Sequence, residues 1–473
     1  MGKFAVALIF LLICSVVSFV YEVKCVDFGV TIIIKADGSI DPPTALISTV
    51  DNVTYAFTAD MNNQSIFVER SNITIDGRGH VLQGSYVNFS YGMSLSNVAN
   101  VTVENTRIEA FWYGIFVDSG SNNRISGNNI TNNLDAIFLQ SSANDTVSGN
   151  NITNNNGWGV VFFDSYNENL FRNNIANNHD GVALGPSSND DISENNIANN
   201  TGDGIMLYGY YNNTTFESST TGNNITNNTI ENNKADGIKL ISSINNTISR
   251  NSIVENQLAI DANYSSHNMI YNNNFASNAQ QVLCNNSWNT WDNGYPSGGN
   301  YWSSYNGTDA DQDGIGDTEY SIDINNIDHY PLMGMFNSYN VTYYTPPIMP
   351  HVCNVIVISN STISDFVAPI WIEHPEVIFL QFNVSGAEGS TGFCRVSFPT
   401  AMMHGTYHVS VNGTEVPYLL LPFSDTNVSY LYFTYKHSTE QVIILPEFPS
   451  FLILLLFFIA TLLAVITYRR KHR

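Results

Sequence analysis

A repeat of about 22 residues runs through the middle of this chain of 473 residues, and few folds accommodate it. Seven segments share the pattern Asn-x-Ile/Phe-x-x-Asn, and their centres are Ile130, Ile152, Ile175, Ile197, Ile230, Ile253 and Phe275. The centres are 22 or 23 residues apart, except for one step of 33 residues that holds an insertion around Tyr208 to Thr221. A recurrence of this length indicates structural units that stack on one another.

Two further short apolar segments recur in step with the first. One follows it by six or seven residues, as in Gly114-Ile-Phe-Val, and the other is centred on residues such as Ile125 and Val147. Three strands per coil, each with inward apolar residues, form a core only when coils stack ~4.8 Å apart. The sequence therefore predicts a right-handed parallel β-helix. We expect the repeated Asn both to adopt the left-handed conformation of a tight corner and to hydrogen-bond its counterpart in the next coil.

The repeat also divides the chain. We predict an N-terminal cap at 26–70, β-helix repeats at 71–288 and a C-terminal cap at 289–340. In residues 341–445 the Asn repeats stop and alternating strands appear, which predicts a small immunoglobulin-like β-sandwich. The fold class is therefore all-β, apart from one helix at the C-terminus.

The two ends of the chain have the features of an exported and anchored protein. Residues 1–25 combine Lys3 with a long apolar run, as a secretory signal peptide does. Residues 446–473 contain an apolar stretch long enough to span a bilayer, followed by basic residues that stay in the cytoplasm. The preceding Pro-Glu-Phe-Pro resembles sorting signals that archaeosortases process. We expect a cell-surface location, with a single-pass helix or with a lipid anchor after processing.

Charge and cysteine content limit the possible partners. The formal charge of −24 argues against nucleic acid, because an acidic chain repels phosphate backbones. Many Asn-x-Ser/Thr sequons make glycosylation of a surface protein possible. Cys353 and Cys394 share the last domain and could form a disulfide, although buried free thiols are the alternative.

An acidic loop carries the sharpest chemical motif. Asp309, Asp311, Asp313 and Asp317 occupy positions 1, 3, 5 and 9 of a calcium-loop pattern, with glycine at position 6. Ile315 at position 7 would contribute its backbone carbonyl. Position 12 departs from the pattern, because a tyrosine stands where a bidentate Glu is expected. The sequence thus predicts a structural calcium site, and a solvated acidic turn is the alternative.

A second set of carboxylates precedes one strand of each of four coils. These are Asp135, Asp180, Asp203 and Asp236. Stacked carboxylates bind a cation or raise one another's pKa values. The row resembles that of polysaccharide lyases of the β-helix class, which implies binding of calcium and sugar acids. The alternative is turn chemistry in which Asp-Gly supplies a positive φ. An enzyme would also need a basic residue beside this row, and few are available.

Aromatic residues near corners or in the insertion suit stacking against sugar rings. The candidates are Trp112, Trp158, Tyr208, Tyr210 and Tyr211. Packing of these rings against the β-helix itself is the alternative.

Residues 72–335 resemble the NosD-type β-helix family of exported bacterial and archaeal proteins. The specific part is the closing segment, with Asn289-Thr-Trp-Asp-Asn-Gly, Gly299-Asn-Tyr-Trp and Asp328-His-Tyr-Pro-Leu. The resemblance implies copper delivery, which needs clustered soft ligands. Met402, Met403, His404 and His408 form the one dense group, outside the repeats, and this pattern is also that of an ordinary β-strand.

Three functions remain open after these observations. The leading hypothesis is a non-enzymatic surface protein that binds an extracellular polysaccharide or glycan, or joins neighbouring proteins of the envelope. A polysaccharide lyase or hydrolase on the same fold is the first alternative. A NosD-like copper-binding accessory protein is the second. The fold alone does not decide among them.

Overall fold

The computed structural model describes residues 30–446, except 213–214, 346–348, 369, 372–373, 404 and 426. These residues form β-strands and connecting turns. No helix with the length and apolarity for a membrane span occurs within them. The signal peptide expected at 1–25 and the anchor expected at 446–473 lie outside the described residues, apart from Pro446.

Three long sheets, in which nearly all neighbouring strands are parallel, wrap around one axis. Strands are numbered in chain order. Sheet A contains β2 Ile40–Asp41, β1 Val30–Ile34, β6 Gln64–Val68, β9 Tyr91–Ser96, β12 Tyr113–Asp118, β15 Asp135–Gln140, β18 Trp158–Phe163, β21 Asp180–Leu184, β24 Ile205–Tyr208, β30 Asp236–Ile241, β34 Leu258–Asn263 and β37 Gln280–Asn285. Sheet B contains β3 Ile47–Ser48, β4 Thr54–Phe57, β7 Ile73–Asp76, β10 Val101–Glu104, β13 Arg124–Ser126, β16 Thr146–Ser148, β19 Asn169–Phe171, β22 Asp191–Ser193, β28 Asn224–Thr226, β32 Thr247–Ser249 and β35 Met269–Tyr271. Sheet C contains β5 Met61–Asn62, β8 Val81–Gln83, β11 Arg107–Glu109, β14 Asn129–Thr131, β17 Asn151–Thr153, β20 Asn174–Ala176, β23 Asn196–Ala198, β29 Thr229–Glu231, β33 Ser252–Val254, β36 Asn274–Ala276 and β38 Tyr301–Trp302.

Each coil contributes one strand to each sheet, which confirms the parallel β-helix. Ile125 of sheet B, Ile130 of sheet C and Ile137 of sheet A point inward and are almost fully buried. Equivalent residues in successive coils pair at the same position, for example Ile130 with Ile152. The 33-residue step holds an antiparallel hairpin of β25 Tyr210–Asn212 and β26 Thr215–Ser218, and β27 Thr220–Thr221 then pairs with β31 Ser243–Ile244.

Buried asparagines stack into ladders at the corners between sheets. In one ladder, Asn173 Oδ1 accepts from the backbone nitrogen and the Nδ2 of Asn150, at 3.0 Å each. Asn173 in turn donates its Nδ2 to Asn195 Oδ1 at 3.0 Å and to the carbonyl of Val147 at 2.9 Å. Each side chain thus satisfies backbone groups that no strand pairs, in a site that excludes water.

The expected double role of the repeated Asn is wrong in one respect. The ladder residue is not the one in the left-handed region. Its immediate predecessor adopts that conformation, as Arg172 does with φ 55° and Asn227 with φ 56°. The two tasks are divided between neighbours, because the stacked amide needs a fixed direction whereas the preceding residue must turn the chain.

The boundary predicted at residue 71 is too late. Strands β4, β5 and β6 already pair in parallel with the next coil, so most of the predicted cap is β-helix. The repeat pattern misses these coils because they lack ladder asparagines. The first edge is closed by the short antiparallel strands β2 and β3.

The C-terminal end of the β-helix is closed by aromatic stacking. Trp302 lies between Phe275 and Tyr320, with ring centroids 4.4 Å apart on both sides. Asp328 accepts hydrogen bonds from Trp302 Nε1 and from the backbone of Asn300, each at 2.8 Å. The closing segment, which includes β39 Tyr320–Asp323 and β40 Asn326–Asp328, therefore has a structural task.

A two-sheet β-sandwich follows, as predicted, but its first strand begins at Met335 and not after residue 340. One sheet contains β41 Met335–Thr345, β42 Met349–Ser359, β47 Thr391–Pro399, β51 Val428–Lys436 and β50 Tyr418–Leu420. The other contains β43 Thr362–Val367, β46 Leu380–Ser385, β52 Thr439–Pro446, β48 Tyr407–Val411 and β49 Thr414–Glu415. A small hairpin is formed by β44 Ile370–Trp371 and β45 His374–Ile378.

The suggested Cys353–Cys394 disulfide is wrong, since both thiols are free. Cys394 pairs across the sheet with Ser359, which lies six residues beyond Cys353 on the same strand. Six residues of strand extend ~20 Å, so the two sulfurs cannot meet.

We expect Asn173→Ala to lower the free energy of unfolding by about 3 kcal/mol, because it leaves donors of Asn150 and the carbonyl of Val147 buried without partners. Chemical denaturation followed by circular dichroism measures this. Asn177→Gly is the matched control, because Asn177 is exposed at φ 57° and outside the ladder. Equal losses for the two variants would contradict the ladder's role.

Candidate functional site

The outward surface of sheet A, named face A here, is the most differentiated surface of the β-helix. Residues that alternate with the buried ones align in columns across successive coils. The central column contains Phe67, Ser94, Phe116, Phe138, Val161, Ala183, Met206, Lys239, Asp261 and Leu283. Ser94, Val161 and Ala183 of this column are themselves buried, so face A exposes aromatic side chains in its N-terminal coils and charged ones in its C-terminal coils, with apolar coils between.

The N-terminal half of face A is a strip of aromatic rings. Tyr91 and Tyr113 stack at 5.6 Å with nearly parallel planes. Phe116 lies 5.0 Å from Tyr91 and 5.9 Å from Phe138. All four side chains are half-buried. The strip thus presents partly exposed ring surface over three consecutive coils.

The C-terminal half brings Lys239 against a group of carboxylates. Lys239 Nζ lies 2.6 Å from Asp236 Oδ2, 3.5 Å from Asp203 Oδ2 and 3.9 Å from Asp261 Oδ2. Asp180, one coil before Asp203, contacts the imidazole of His179 at 2.7 Å. The structure thereby places a basic residue beside the carboxylate row, which the sequence alone did not establish.

Burial governs the protonation of this group. It raises the pKa of Asp203, Asp236 and Asp261, against the lowering effect of Lys239. Burial also opposes the charge of Lys239, but the hydrogen bond that Lys239 donates to Asp236 and the nearby negative charges outweigh it and raise the pKa of the lysine. Lys239 thus stays protonated and serves as a cation rather than a base.

The four aspartates predicted to stack do not form one continuous row. Trp158 stands between Asp135 and Asp180, and donates its backbone nitrogen to Asp135 Oδ1 at 2.8 Å. Burial raises the pKa of Asp135 to about 6, while that hydrogen bond from Trp158 opposes the shift. Asp180, Asp203 and Asp236 do occupy consecutive coils.

The alternative in which Asp-Gly supplies positive φ is wrong, because Gly181, Gly204 and Gly237 do not have positive φ values. A Cβ on Gly204 would approach the Gly237 carbonyl at 2.6 Å, so close packing of coils requires glycine there. The aspartate before it has a separate task. Asp180 and Asp203 each accept the backbone nitrogen of the next aspartate in the row, at 2.7 and 3.0 Å.

The predicted sugar-stacking residues are dispersed. Trp158 and Tyr208 lie at the ends of strands of sheet A, whereas Trp112 packs on Phe89 at 5.2 Å, just before β12. Tyr210 and Tyr211 lie in the inserted hairpin. Sequence reasoning missed Phe116 and Phe138 as surface residues. Strand alternation contained the signal, because each follows an inward isoleucine.

The acidic loop brings together Asp309, Asp311 and Asp313, whose oxygens lie within 4.8 Å of one another. Asp317 is not among them, and its Oδ2 accepts from the backbone of Ala310 at 2.8 Å. Burial raises the pKa of Asp309 and Asp313. Asp311 is exposed.

The acidic loop also touches the sandwich. Arg395 is almost fully buried, donates to the Pro296 carbonyl and lies 5.1 Å from the ring of Tyr430. Its charge interacts with that of Asp313. Ile315, named as a carbonyl ligand, has a buried side chain in the apolar cluster that joins the two domains.

Soft metal donors do not assemble in the described residues of the β-helix. His80, His179 and His329 each contact a different aspartate. In the sandwich, Cys353 Sγ lies 3.9 Å from Met402 Sδ, and Met402 and Met403 are buried. His404 lies outside the described residues, and His408 contacts Glu415 at 3.6 Å.

Several solved structures share distant similarity with this chain. The Dettilon tailspike protein is 13% identical over 82% of this chain and 80% of its own, with a TM-score of 0.41. The periplasmic alginate epimerase AlgG is 15% identical over 53% and 80%, with a TM-score of 0.41. The A-module of mannuronan C-5 epimerase AlgE6 from Azotobacter vinelandii is 16% identical over 52% and 84%, with a TM-score of 0.35. No activity is transferred from likenesses this distant.

No curated protein matches the chain. Two family descriptions do. Residues 47–188 match "Right handed beta helix region", and residues 173–307 match "Periplasmic copper-binding protein (NosD)". The two regions together, residues 47–307, cover most of the stacked coils and the start of the closing segment. These matches identify the coils as right-handed parallel β-helix repeats, and those in residues 173–307 as similar to the NosD type.

Proposed function

We propose that this protein binds a neutral extracellular polysaccharide along face A without cleaving it. The observation that supports the proposal is that one face carries both an aromatic strip and a polar group around Lys239, with three coils of apolar column residues between them. Apolar faces of sugar rings pack on aromatic rings, while sugar hydroxyls accept from an ammonium and donate to carboxylates. An extended polymer lying along the β-helix axis meets both surfaces.

The charge of face A selects against acidic polymers. The strands of sheet A from β9 to β34, together with Asp203 just before β24, contain six aspartates but a single lysine: Asp118, Asp135, Asp180, Asp203, Asp236 and Asp261. Lys239 already has carboxylates around it, and the whole chain has a formal charge of −24. A polyanion would meet repulsion at this surface.

The proposed setting is the cell surface. An N-terminal signal peptide and a C-terminal anchor would leave the β-helix outside the cell, with the sandwich nearer the membrane. In that setting the bound polymer belongs to the organism's own envelope or to another cell. Neighbouring envelope proteins are the alternative partners.

The double variant Phe116→Ala and Phe138→Ala should weaken polysaccharide binding about tenfold, since each stacked ring contributes about 0.5–1.5 kcal/mol. The full chain in detergent is first screened on an array of neutral and acidic glycans. Calorimetry with the best neutral polymer then measures the affinity of each variant.

The matched control is Phe171→Ala, which removes a half-buried ring from sheet B. It should leave the affinity unchanged. Binding of acidic polymers alone, or equal weakening by the control, would count against face A as a neutral-glycan site.

A hydrolase is the second candidate, and the Lys239 group is the observation that favours it. Carboxyl groups with raised pKa values can protonate a glycosidic oxygen, while an ionised neighbour activates water on the other side of the bond. A lyase is less compatible, because its base must be unprotonated and Lys239 is held as a cation.

Under the binding proposal, incubation of the wild-type chain with the bound polysaccharide releases no reducing ends. Release that disappears in Asp236→Asn, with glycan affinity retained, would establish the hydrolase instead. Asp118→Asn is the control, because it removes a carboxylate of face A away from Lys239.

Copper does not fit the β-helix residues. Copper sites need several soft or imidazole ligands around one point, whereas His80, His179 and His329 each contact a different aspartate. The two sulfur atoms that meet, on Cys353 and Met402, lie in the sandwich, beyond the region that matches the copper-binding family. The proposed function therefore includes no copper step.

Calcium at the acidic loop is a further part of the proposal, with a structural task. Asp309, Asp311 and Asp313 would supply carboxylate oxygens, and the ion would offset the cost of their partial burial. The loop lies between the closing segment and the sandwich, so the ion would strengthen that junction.

Calcium should raise the thermal unfolding temperature, because an ion at 100 times its Kd stabilises the folded state by about 2.7 kcal/mol. Asp311→Asn should remove most of this gain, as Asp311 is an exposed member of the group. Glu319→Gln removes an exposed carboxylate outside the group and should keep it. An unfolding temperature indifferent to calcium and chelator would rule the site out.

A further inference from the structure

One buried ladder departs from asparagine over three coils. It runs through Asn123, Asp145, Glu168, Asp190, Asn223, Asn246, Asn268, Asn289 and Asn326 at the corner before sheet B. The three acidic residues are consecutive, and none is more than 1% exposed. Three carboxyl groups therefore stack inside the protein, where each charge would be costly.

Each carboxyl uses one oxygen as an asparagine would. Asp145 Oδ1 accepts the backbone nitrogen of Asn123 at 2.6 Å, and Glu168 Oε2 accepts that of Asp145 at 2.7 Å. Asp190 Oδ1 accepts the backbone nitrogen of Glu168 at 2.9 Å. The acceptor task of the ladder thus continues without interruption through the acidic residues.

The second oxygen of each carboxyl occupies the place of an amide donor. Asn246, in the same ladder, donates its Nδ2 both to a backbone carbonyl at 3.2 Å and to the next side-chain oxygen at 3.0 Å. The corresponding atoms Asp145 Oδ2, Glu168 Oε1 and Asp190 Oδ2 are buried and receive no hydrogen bond. A protonated carboxyl can donate from this atom, whereas a carboxylate would leave a buried negative oxygen without a hydrogen bond.

The surroundings offer no opposite charge. The groups that act on these carboxyls are Asn123 and Ser142 at Asp145, Asp145 and Asp190 at Glu168, and the backbone of Glu168 at Asp190. Asn223 closes the set in the next coil. Among the described residues the charged groups that face the triplet are thus its own members.

We infer that Asp145, Glu168 and Asp190 are neutral carboxylic acids that donate hydrogen bonds in the ladder at acidic pH, with Glu168 and Asp190 remaining neutral at pH 7, and that this makes the central coils a pH-sensitive segment which loosens as the pH rises. The segment includes the ends of β15, β18 and β21, which also carry part of face A. The inference stands independently of glycan binding.

The direction of the pH dependence follows from how many protons the folded and the unfolded chain bind. Burial raises the pKa of Asp145 to about 6, of Asp190 to about 8 and of Glu168 to about 9, and Asp145 adds to the shift at Glu168. Since the unfolded chain releases these protons near pH 4, the stability that they confer is complete below that pH. It is lost progressively as the pH rises through the values of the folded state.

The test compares the full chain with the triple variant Asp145→Asn, Glu168→Gln and Asp190→Asn, which restores amide donors. The apparent unfolding temperature of the wild type should fall as the pH rises from 5 to 9, and that of the triple variant should fall much less. Amides occupy the other positions of this ladder, so the triple variant is expected to fold. Asp164→Asn, an exposed change at the same corner, is the control and should follow the wild type.

Infrared spectroscopy gives a second readout that does not depend on unfolding. The wild type at neutral pH should show the carbonyl band of protonated carboxylic acids in the folded state, and this band should be weaker in the triple variant, where other buried carboxyls such as Asp328 still contribute. The inference is overturned if the wild type and the triple variant have parallel pH profiles, or if their folded states do not differ in this band at neutral pH.

Discussion

The structure depends on one interaction, the hydrogen bond that the Nδ2 of a buried asparagine donates to the Oδ1 of the equivalent asparagine in the next coil. A corner between two strands leaves backbone groups without partners, and in the interior no water is present to serve them. The stacked amide accepts from one coil and donates to another, so it satisfies both sides at once. It also fixes the distance and the rotation between coils. The in-register columns on the outer faces follow from this alignment.

That alignment determines what the outer surface can do. Side chains of one type in successive coils necessarily become neighbours, so Phe116 next to Phe138 gives an aromatic strip. The same rule applied to Asp203 and Asp236 brings like charges together, which costs free energy unless a cation or a proton intervenes. Lys239 supplies the cation on face A. Inside the ladder, where no cation is present, protons have that task at Asp145, Glu168 and Asp190. Stacking thus turns a local choice of residue into an extended surface property.

Much of the fold could be predicted because the same residue pattern recurs in coil after coil. The wrong predictions concern segments that lack this pattern. The spacing of Ile130 and its counterparts gives the coil length. These residues recur in every such coil because a missing inward side chain would leave a cavity. The first coils lack ladder asparagines, so residues up to 70 were mistaken for a cap. The disulfide failed because sequence proximity within a domain says nothing about position along a strand. For the candidate site, alternation could have revealed Phe116, but the approach of Lys239 to Asp203 depends on pairing between coils separated by the insertion.

The junction between β-helix and sandwich has a mechanical consequence. Phe336, at the start of the sandwich, exchanges two hydrogen bonds with Asn274 in sheet C, at 2.7 and 2.9 Å. Ile315, Phe393 and Tyr432 pack across the same junction, with Arg395 buried beside them. A force applied along face A would therefore be carried by all of these junction contacts together. It would shear them rather than bend a flexible linker between the two domains. The coils would act as a stiff lever, and its far end, which among the described residues is closed by the short strands β2 and β3, would move furthest.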